Sequence, residues 1–427
     1  MKKRKTIFGI AMITCMVLTP TSLTFASEIT MQEEQEQQSF KMEGTVLIQY
    51  TGSAEHVVIP NTVTEIGEEA FKGCDIKSIE IPDTVTKIGV GAFRSCKNLE
   101  EITLPNQLKK IEKYLFWNCS KLNKVIIPES VTFIDQHSFW GCDSLEVLGI
   151  PKTVKRIDGD FSEESPWWKE QVKTSPLVII NDNLVRVSNY TKEDGTTVVI
   201  PKGVKRISAR AFIGTGTAYI HKIVIPNTVT AIGEASMPKS IEEIEIPNSV
   251  KHMGTYVFER CTRLKKVKLS EKLEVIPEGI FWDCKNLKQI TLPKSVKKIE
   301  ADAFTNCDKL QDIVMSSNVK ESASYNFMYP EGIVLHAPKG SYIEKLAKEE
   351  GVTFKALAIN KSGLSLKVNK TASLNVGTDT TFTTWKSSNS AVAKVSKTGK
   401  VTAKKKGTAT ITGTLYGKKY TCKVVVK

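Results

Sequence analysis

The sequence predicts a mainly β protein: a solenoid of short parallel strands with a period of about 23 residues, followed by a small β-sandwich. Three observations carry this. The stretch IPNTVTEIGEEAF beginning at Ile59 recurs as IPNTVTAIGEASM beginning at Ile225. An Ile-Pro or Leu-Pro pair ends at Pro60, Pro82, Pro105, Pro128 and Pro151, and again at Pro201, Pro226, Pro247 and Pro293, with Ser270 and Ser316 on the same grid. The commonest spacing is 23 residues, the mark of stacked structural repeats. From Leu364 the pattern changes to LSLKV, ASLNV, TFTTW, AVAKV, GKVTA, GTATITGTL and YTCKVVV, about seven strands separated by Gly, Asn and Ser turns.

Taken in order, residues 1–26 read as a secretory signal peptide. Lys2, Lys3, Arg4 and Lys5 precede the apolar run IFGIAMITCMVL, and the small residues Thr24 and Ala26 place cleavage before Ser27. Residues 27–42 (SEITMQEEQEQQSFKM) are rich in Glu and Gln and read as a flexible tether. The solenoid occupies residues 43–357. Its grammar shows in CKNLEEITLPNQLKKIEKYLFWNC, Cys96 to Cys119. Leu99, Ile102 and Leu104 point inward on a short strand, which Pro105 ends because proline has no donor for a ladder. Leu108 and Ile111 point inward on a second extended segment, and Phe116 closes the turn. The Ala-Phe pairs at Ala70-Phe71, Ala92-Phe93, Ala211-Phe212 and Ala303-Phe304 predict one helical turn on a convex side.

Residues 158–182 break the period. The strand–turn–strand segments ending at Pro60 and Pro201 each read as a hairpin that opens a block, which divides the solenoid at about 43–175 and 176–357. The end of the second block, about residues 333–357, reads as a cap. Ser341 starts a short helix there, Leu346 and Ala347 lie on its buried side, and Gly351 stops it.

The repeated pattern C-x-x-L-x-x-I-x-I/L-P-x-x-V-x-x-I-x-x-x-A-F resembles the BspA-type leucine-rich repeat of bacterial surface proteins over roughly residues 43–357, with Met237 in place of Phe and Ser270 in place of Pro. The run TTWKSSNSAVAKVSKTGKVTAKKKGTATIT, within residues 358–427, resembles the bacterial immunoglobulin-like group 2 domain. The fold class is then a leucine-rich-repeat solenoid followed by an Ig-like sandwich. The resemblance implies a core position for Trp385, a location at a cell surface, and adhesion to a host protein, extracellular matrix or another cell.

Charge separates the two parts. Residues 358–427 carry 14 Lys against one Asp, a net +13, while residues 27–357 carry a net −3. Such a field attracts anionic polymers, with Lys404, Lys405 and Lys406 the candidate contacts, or is a solvated face. Eight cysteines follow Ser27. Cys74, Cys96, Cys119, Cys142, Cys261, Cys284 and Cys307 share one repeat position, so they read as a ladder of buried free thiols, with bridging of neighbours the alternative. Trp117, Trp140 and Trp282 each follow the core Phe, at a position that elsewhere holds Lys72 or Arg94. They read either as an exposed aromatic patch for a glycan or protein, or as rings packed over the next turn. The outward column of the first strand, including Glu245, Lys268 and Thr291, would line a concave binding surface, although Glu245 and Lys268 also suit cross-strand pairing.

No H-E-x-x-H, G-x-S-x-G, C-x-x-C or P-loop is present, and the five histidines fall at unrelated repeat positions, so neither an enzyme nor a cofactor nor a metal site is expected. A physiological nucleic-acid partner is not expected of a secreted protein, and no later apolar run is long enough for a membrane span. No L-P-x-T-G motif occurs, which predicts non-covalent attachment to the wall or release. The expected protein is secreted, extracellular or wall-associated, from a Gram-positive bacterium. Its expected role is that of an adhesin. A structural envelope or biofilm component and a polysaccharide-binding accessory protein are the alternatives.

Overall fold

The structure, a computed structural model, describes residues 39–427 except 159, 174, 189–194, 215–216, 325, 328–331 and 378–381. The expected signal peptide, and the tether up to residue 38, lie outside the described residues. Residues 40–42, which the sequence places in the tether, belong to a strand, Phe40–Glu43.

Each repeat contributes one rung to three columns. The strand column is built from three-residue strands such as Ser78–Glu80, Glu101–Thr103, Lys124–Ile126 and Val147–Gly149, paired in parallel. In each the middle residue is buried, as Ile79, Ile102, Val125 and Leu148 are, so the two flanking residues face outward. A corner at the proline leads to a second column of two-residue strands, for example Lys110–Ile111, Phe133–Ile134 and Arg156–Ile157, again parallel and in register. The third column is the Ala-Phe segment, and about 13 such turns stack along the solenoid.

The Ala-Phe segment takes the form of two linked reverse turns in place of a single helical one. Leu115, Trp117 and Cys119 donate backwards to Glu112, Tyr114 and Phe116, whereas the alternate amides of Tyr114, Phe116 and Asn118 donate to Gln136, Ser138 and Trp140 of the next rung. Half of the donors close the turns and half build a ladder between rungs, so the backbone is satisfied without a helix. The geometry requires positive φ at two positions per rung, 60° at Tyr114 and 62° at Asn118 here, which Gly91 and Gly141 meet without a side-chain penalty on neighbouring rungs.

The shared positions make ladders in the core. Tyr50, Phe71, Phe93, Phe116, Phe139 and Phe161 stack with ring centroids 5.2–5.9 Å apart. Phe258, Phe281, Phe304 and Phe327 do the same at 5.3–6.1 Å. The repeat cysteines are free thiols. Sγ of Cys96, Cys119, Cys142, Cys284 and Cys307 donates to the carbonyl of the Phe one rung back at 3.0–3.1 Å. A small side chain with a weak donor therefore suits the site twice over, filling it and using a lone pair that the turn leaves open.

Two expectations are corrected in detail. The strands Val46–Tyr50 and His56–Val58, read as partners in a hairpin, belong to different columns. The first pairs antiparallel with Phe40–Glu43 and parallel with Glu65–Ile66, and the second pairs with Ser78–Glu80. Asn183–Val187 likewise pairs antiparallel with Leu177–Ile180, while Thr196–Val199 pairs with Ile220–Val224. In both places the true hairpin lies one strand earlier, with Phe40–Glu43 and Leu177–Ile180 as the antiparallel partners.

The break in period also begins later than residue 158. Phe161 fills the Phe site of a further rung, and the helix α1 (Pro166–Lys173) covers it, with the ring of Trp168 5.8 Å from that of Phe161. Beyond α1, amide side chains splice the second column across the gap. Asn183 Oδ1 accepts from the Ile157 amide at 3.4 Å, and Asn181 Nδ2 donates to the Pro151 carbonyl at 2.7 Å. The buried side chains separate here into one cluster from Leu47 to Val185 and another from Leu184 to Ala347.

At the far end α2 (Tyr342–Glu349) buries Ile343, Leu346 and Ala347. Ser341 stands at its N-cap position without a capping bond from its hydroxyl; Glu344 reaches back to the Gly340 amide at 2.5 Å instead. Gly351 has φ +70°, and the Val352 amide returns to the Ala347 carbonyl, which ends the helix.

The sandwich has seven strands, Gly363–Leu366, Thr371–Ser373, Thr384–Ser387, Ala393–Val395, Lys400–Ala403, Gly407–Leu415 and Lys418–Val426, in sheets of four and three. Trp385 is only partly buried. It lies between the sandwich core and a second apolar cluster, against Gly399 and Gly413, where an added Cβ would meet the ring at 3.0 and 2.8 Å.

That second cluster joins the two parts. Val314 of the solenoid packs with Leu357, Val376, Leu415 and Tyr420. Tyr416 Oη donates to the Leu292 carbonyl at 2.5 Å. The sandwich thus sits on the last rungs of the strand column. Among the described residues no helix is long and apolar enough to cross a membrane.

Candidate recognition surfaces

Two surfaces are built by the fold. The first is the outward side of the strand column. Val58, Ile126, Val199 and Val224 stand on it 57%, 49%, 60% and 43% exposed, and Val199 and Val224 are direct partners on adjacent strands. Aliphatic side chains at such exposure are not there for the solenoid's own core. The candidate residues of this column are placed differently. Glu245 and Lys268 are cross-strand partners whose side chains meet at 2.5 Å, Lys265 meets Glu242 at 2.8 Å, and Glu243 turns the other way to Lys222 at 2.8 Å. Exposed pairs of this kind contribute little to stability but neutralise the centre of the face. Thr291, a candidate contact from sequence, is only 3% exposed, next to Val314 at 1%, at the end of the column where the sandwich docks. A residue so buried offers no contact to a partner, and this corrects its reading as a surface residue.

The second surface lies on the turn column, where the two core clusters meet. A cleft of about 500 Å3 is lined by Tyr114, Trp117, His137, Trp140, Arg186 and Arg210, among others. On the rung of Val187 the chain enters the turn column as the five-residue strand Asn183–Val187. Trp140 and His137 stand on one side and Arg210 and Ile213 on the other, with the buried Arg186 between them.

Trp117 and Trp140, paired in the sequence reading by their common position, do share this cleft. Trp140 is 42% exposed, and Trp117 lies under the Arg94 guanidinium at 4.6 Å. Trp282 does not join them; it packs on Tyr256 of the preceding rung at 5.7 Å, as a ring lying over its neighbour.

What the sequence reading missed is a second column, two residues before each core Phe, which supplies Tyr114, His137 and Arg210. These three take φ of 60°, 56° and 57°, the left-handed conformation that aims their side chains out of the turn. Tyr114 and His137 stack at 5.4 Å and 3°, and His137 meets the edge of Trp140 at 6.3 Å. The available signal was that this position holds Gly91 and Gly279 on other rungs, so large side chains there are a departure to explain.

The electrostatics of the cleft are uneven. Arg186, 5% exposed at its side chain, pairs with Asp160 at 3.2 Å and Glu163 at 3.7 Å and donates to the Ile213 carbonyl at 2.5 Å. Asp160 also faces His137 Nδ1 at 3.2 Å. Burial nonetheless lowers the His137 pKa below its ordinary value, against the opposing pull of Asp160. Arg210 Nε is buried with no hydrogen-bond partner. Beneath the cleft a second staple, Asp158 with Arg206 at 3.0 Å, ties the two clusters.

Lys404, Lys405 and Lys406 are exposed on the turn between the strands Lys400–Ala403 and Gly407–Leu415. Among the described residues of 358–427 there is no carboxylate side chain to oppose them.

These features define a non-globular class of protein, a stacked-repeat solenoid bearing a β-sandwich. The family model of the BspA type leucine rich repeat region matches in six copies over residues 46–165, 185–240 and 205–334, and the chain belongs to that family. The bacterial Ig-like domain (group 2) model matches residues 353–424. Among solved structures, a leucine-rich repeat protein from Bacteroides ovatus is 24% identical over 70% of this chain and 70% of its own, with a TM-score of 0.35. A leucine rich cell surface protein from Faecalibacterium prausnitzii is 22% identical over 72% and 94%, with a TM-score of 0.32. The pneumococcal vaccine antigen PcpA is 20% identical over 73% and 82%, with a TM-score of 0.34. A comparison with curated proteins finds no match.

Proposed function

We propose that the protein is exported and works at the bacterial surface as a non-catalytic adhesin, binding a host, matrix or neighbouring-cell protein through the strand face of its solenoid. Export is supported by the basic, apolar and small-residue sequence of 1–26. The observation that carries the binding reading is the set of exposed aliphatics Val58, Ile126, Val199 and Val224 on a face whose last rungs already hold a folded domain at Val314. Apolar groups held in solvent on a rigid sheet release water when a complementary surface covers them. The test is saturable binding of residues 27–427 to a panel of matrix and cell-surface proteins, with a Val199→Asp/Val224→Asp chain beside it. Loss of binding in the double variant supports the reading, and undiminished binding rules out the strand face.

A second role is favoured by the lysine excess of residues 358–427, 14 Lys against one Asp. These lysines would hold the protein to an anionic wall polymer by a field that salt screens. Deleting the domain would uncover Val314, so charge reversal at Lys404, Lys405 and Lys406 is the cleaner probe. Retention on producing cells that moderate salt releases, and that Lys404→Glu/Lys405→Glu/Lys406→Glu removes, is the expected result. Retention indifferent to both sinks the anchor.

A further inference from the structure

The junction cleft lies on the turn column, apart from the strand face, and stands whether or not the strand face binds a protein. Its volume of about 500 Å3 falls in the range of small-ligand sites, roughly 300–1,000 Å3, and its walls come from two blocks of the solenoid. It offers three chemistries at once. The first is a flat apolar surface: Trp140 is 42% exposed, where a ring at the same position on another rung, Trp282, lies against a neighbour. The second is a set of fixed polar groups at the edge of that surface. Asp160, Glu163 and His137 are held by Arg186 and by the Tyr114 ring, so they are oriented before any ligand arrives. The third is a cation. The Asp160 and Glu163 carboxylates are engaged by Arg186, while Arg210 lines the cleft and forms no ion pair among the described residues.

A guanidinium without a carboxylate partner at the wall of a cleft presents a planar fork of donors that matches a planar carboxylate. An exposed indole accepts the C–H face of a saturated ring, and fixed carboxylate and imidazole groups beside it accept or donate to ring hydroxyls. We propose that this cleft binds a carboxylated sugar, with the ring on Trp140 and its carboxylate on Arg210. A neutral sugar would leave Arg210 unmatched.

The experiment titrates the chain of residues 27–427, followed by tryptophan emission and calorimetry, with three probes: a hexasaccharide of alternating glucuronate and N-acetylglucosamine, the neutral N-acetylglucosamine hexasaccharide, and hexaglutamate. The uronate probe is expected to bind saturably and better than the other two. Trp140→Ala should weaken it about tenfold or more, Arg210→Gln should weaken it about tenfold and remove the preference over the neutral sugar, and Arg210→Lys should restore part of the loss. Unchanged thermal midpoints show that the variants fold. Val199→Asp/Val224→Asp should leave this binding intact, which separates it from the strand face. Equal binding of the neutral sugar, binding of hexaglutamate as tight as the uronate, or saturation by none of the three overturns the proposal.

Discussion

At the scale of single residues, two kinds of burial make opposite chemical predictions. The thiols of the Cys ladder are desolvated, which raises their pKa; that of Cys307 is pushed up to about 12. Cys74, at the open start of the ladder, is the repeat thiol left half-buried. Labelling of the native protein with a thiol reagent near neutral pH should therefore modify Cys74 alone, and Cys74→Ser should abolish the reaction until denaturant is added. His137 is a half-buried base. Because its folded pKa lies below the ordinary 6.5, the unfolded chain takes up the proton first. The stability it contributes is present above about pH 6.5 and is lost as pH falls through the folded value. Urea midpoints at about pH 7.5 and about pH 5.5 should fall less for His137→Gln than for the parent chain. Asp160→Ala tests the staple: with side chains of Arg186 and Asp160 only 5% and 9% exposed, leaving the cation to Glu163 at 3.7 Å and the Ile213 carbonyl should cost about 1–3 kcal/mol, read as a lower denaturation midpoint.

At the scale of the element, the unit of stability is the contact between rungs. Phe281 is fully buried and stacked on both sides, by Phe258 and by Phe304. Phe281→Ala should cost about 3–5 kcal/mol of stability by chemical denaturation. Because rungs touch mainly their neighbours, the loss should appear first in hydrogen exchange of the second block. The columns themselves were legible in the sequence, since Pro105 stopping a strand and Ile102, Ile111 and Phe116 filling fixed positions are local, repeated constraints. The double turn was less legible, because an Ala-Phe pair suits a helical turn as well. Only the ladder of alternate amides to the next rung selects the other form, and that ladder involves residues 22 apart, as in the Phe116 amide to the Ser138 carbonyl.

At the scale of the whole molecule, the sandwich is held to the solenoid by a small apolar cluster and the Tyr416 hydroxyl. Tyr416→Ala should loosen that contact. Scattering should then show a larger radius of gyration, and proteases should cut the connection near residues 358–362 faster. Unchanged dimensions and cleavage would mean that the docking owes nothing to Tyr416. Docking also decides which candidate residues are available. It removes Thr291 from the strand face and leaves Val199 and Val224 exposed, a distinction that no property of Thr291 itself announces.

The sequence by itself determined the solenoid, its inward columns, the place of the Cys and Phe ladders and the seven-strand sandwich. Each follows from short-range rules that the chain repeats, so one rung's chemistry predicts the next. Only the tertiary structure decided where one block meets the other and where the sandwich rests. Trp140 and Arg210 line one cleft where the two core clusters meet, and Tyr416 reaches the Leu292 carbonyl across 124 residues. Contacts between parts that do not repeat are set by the closure of the chain in three dimensions, which periodicity leaves free.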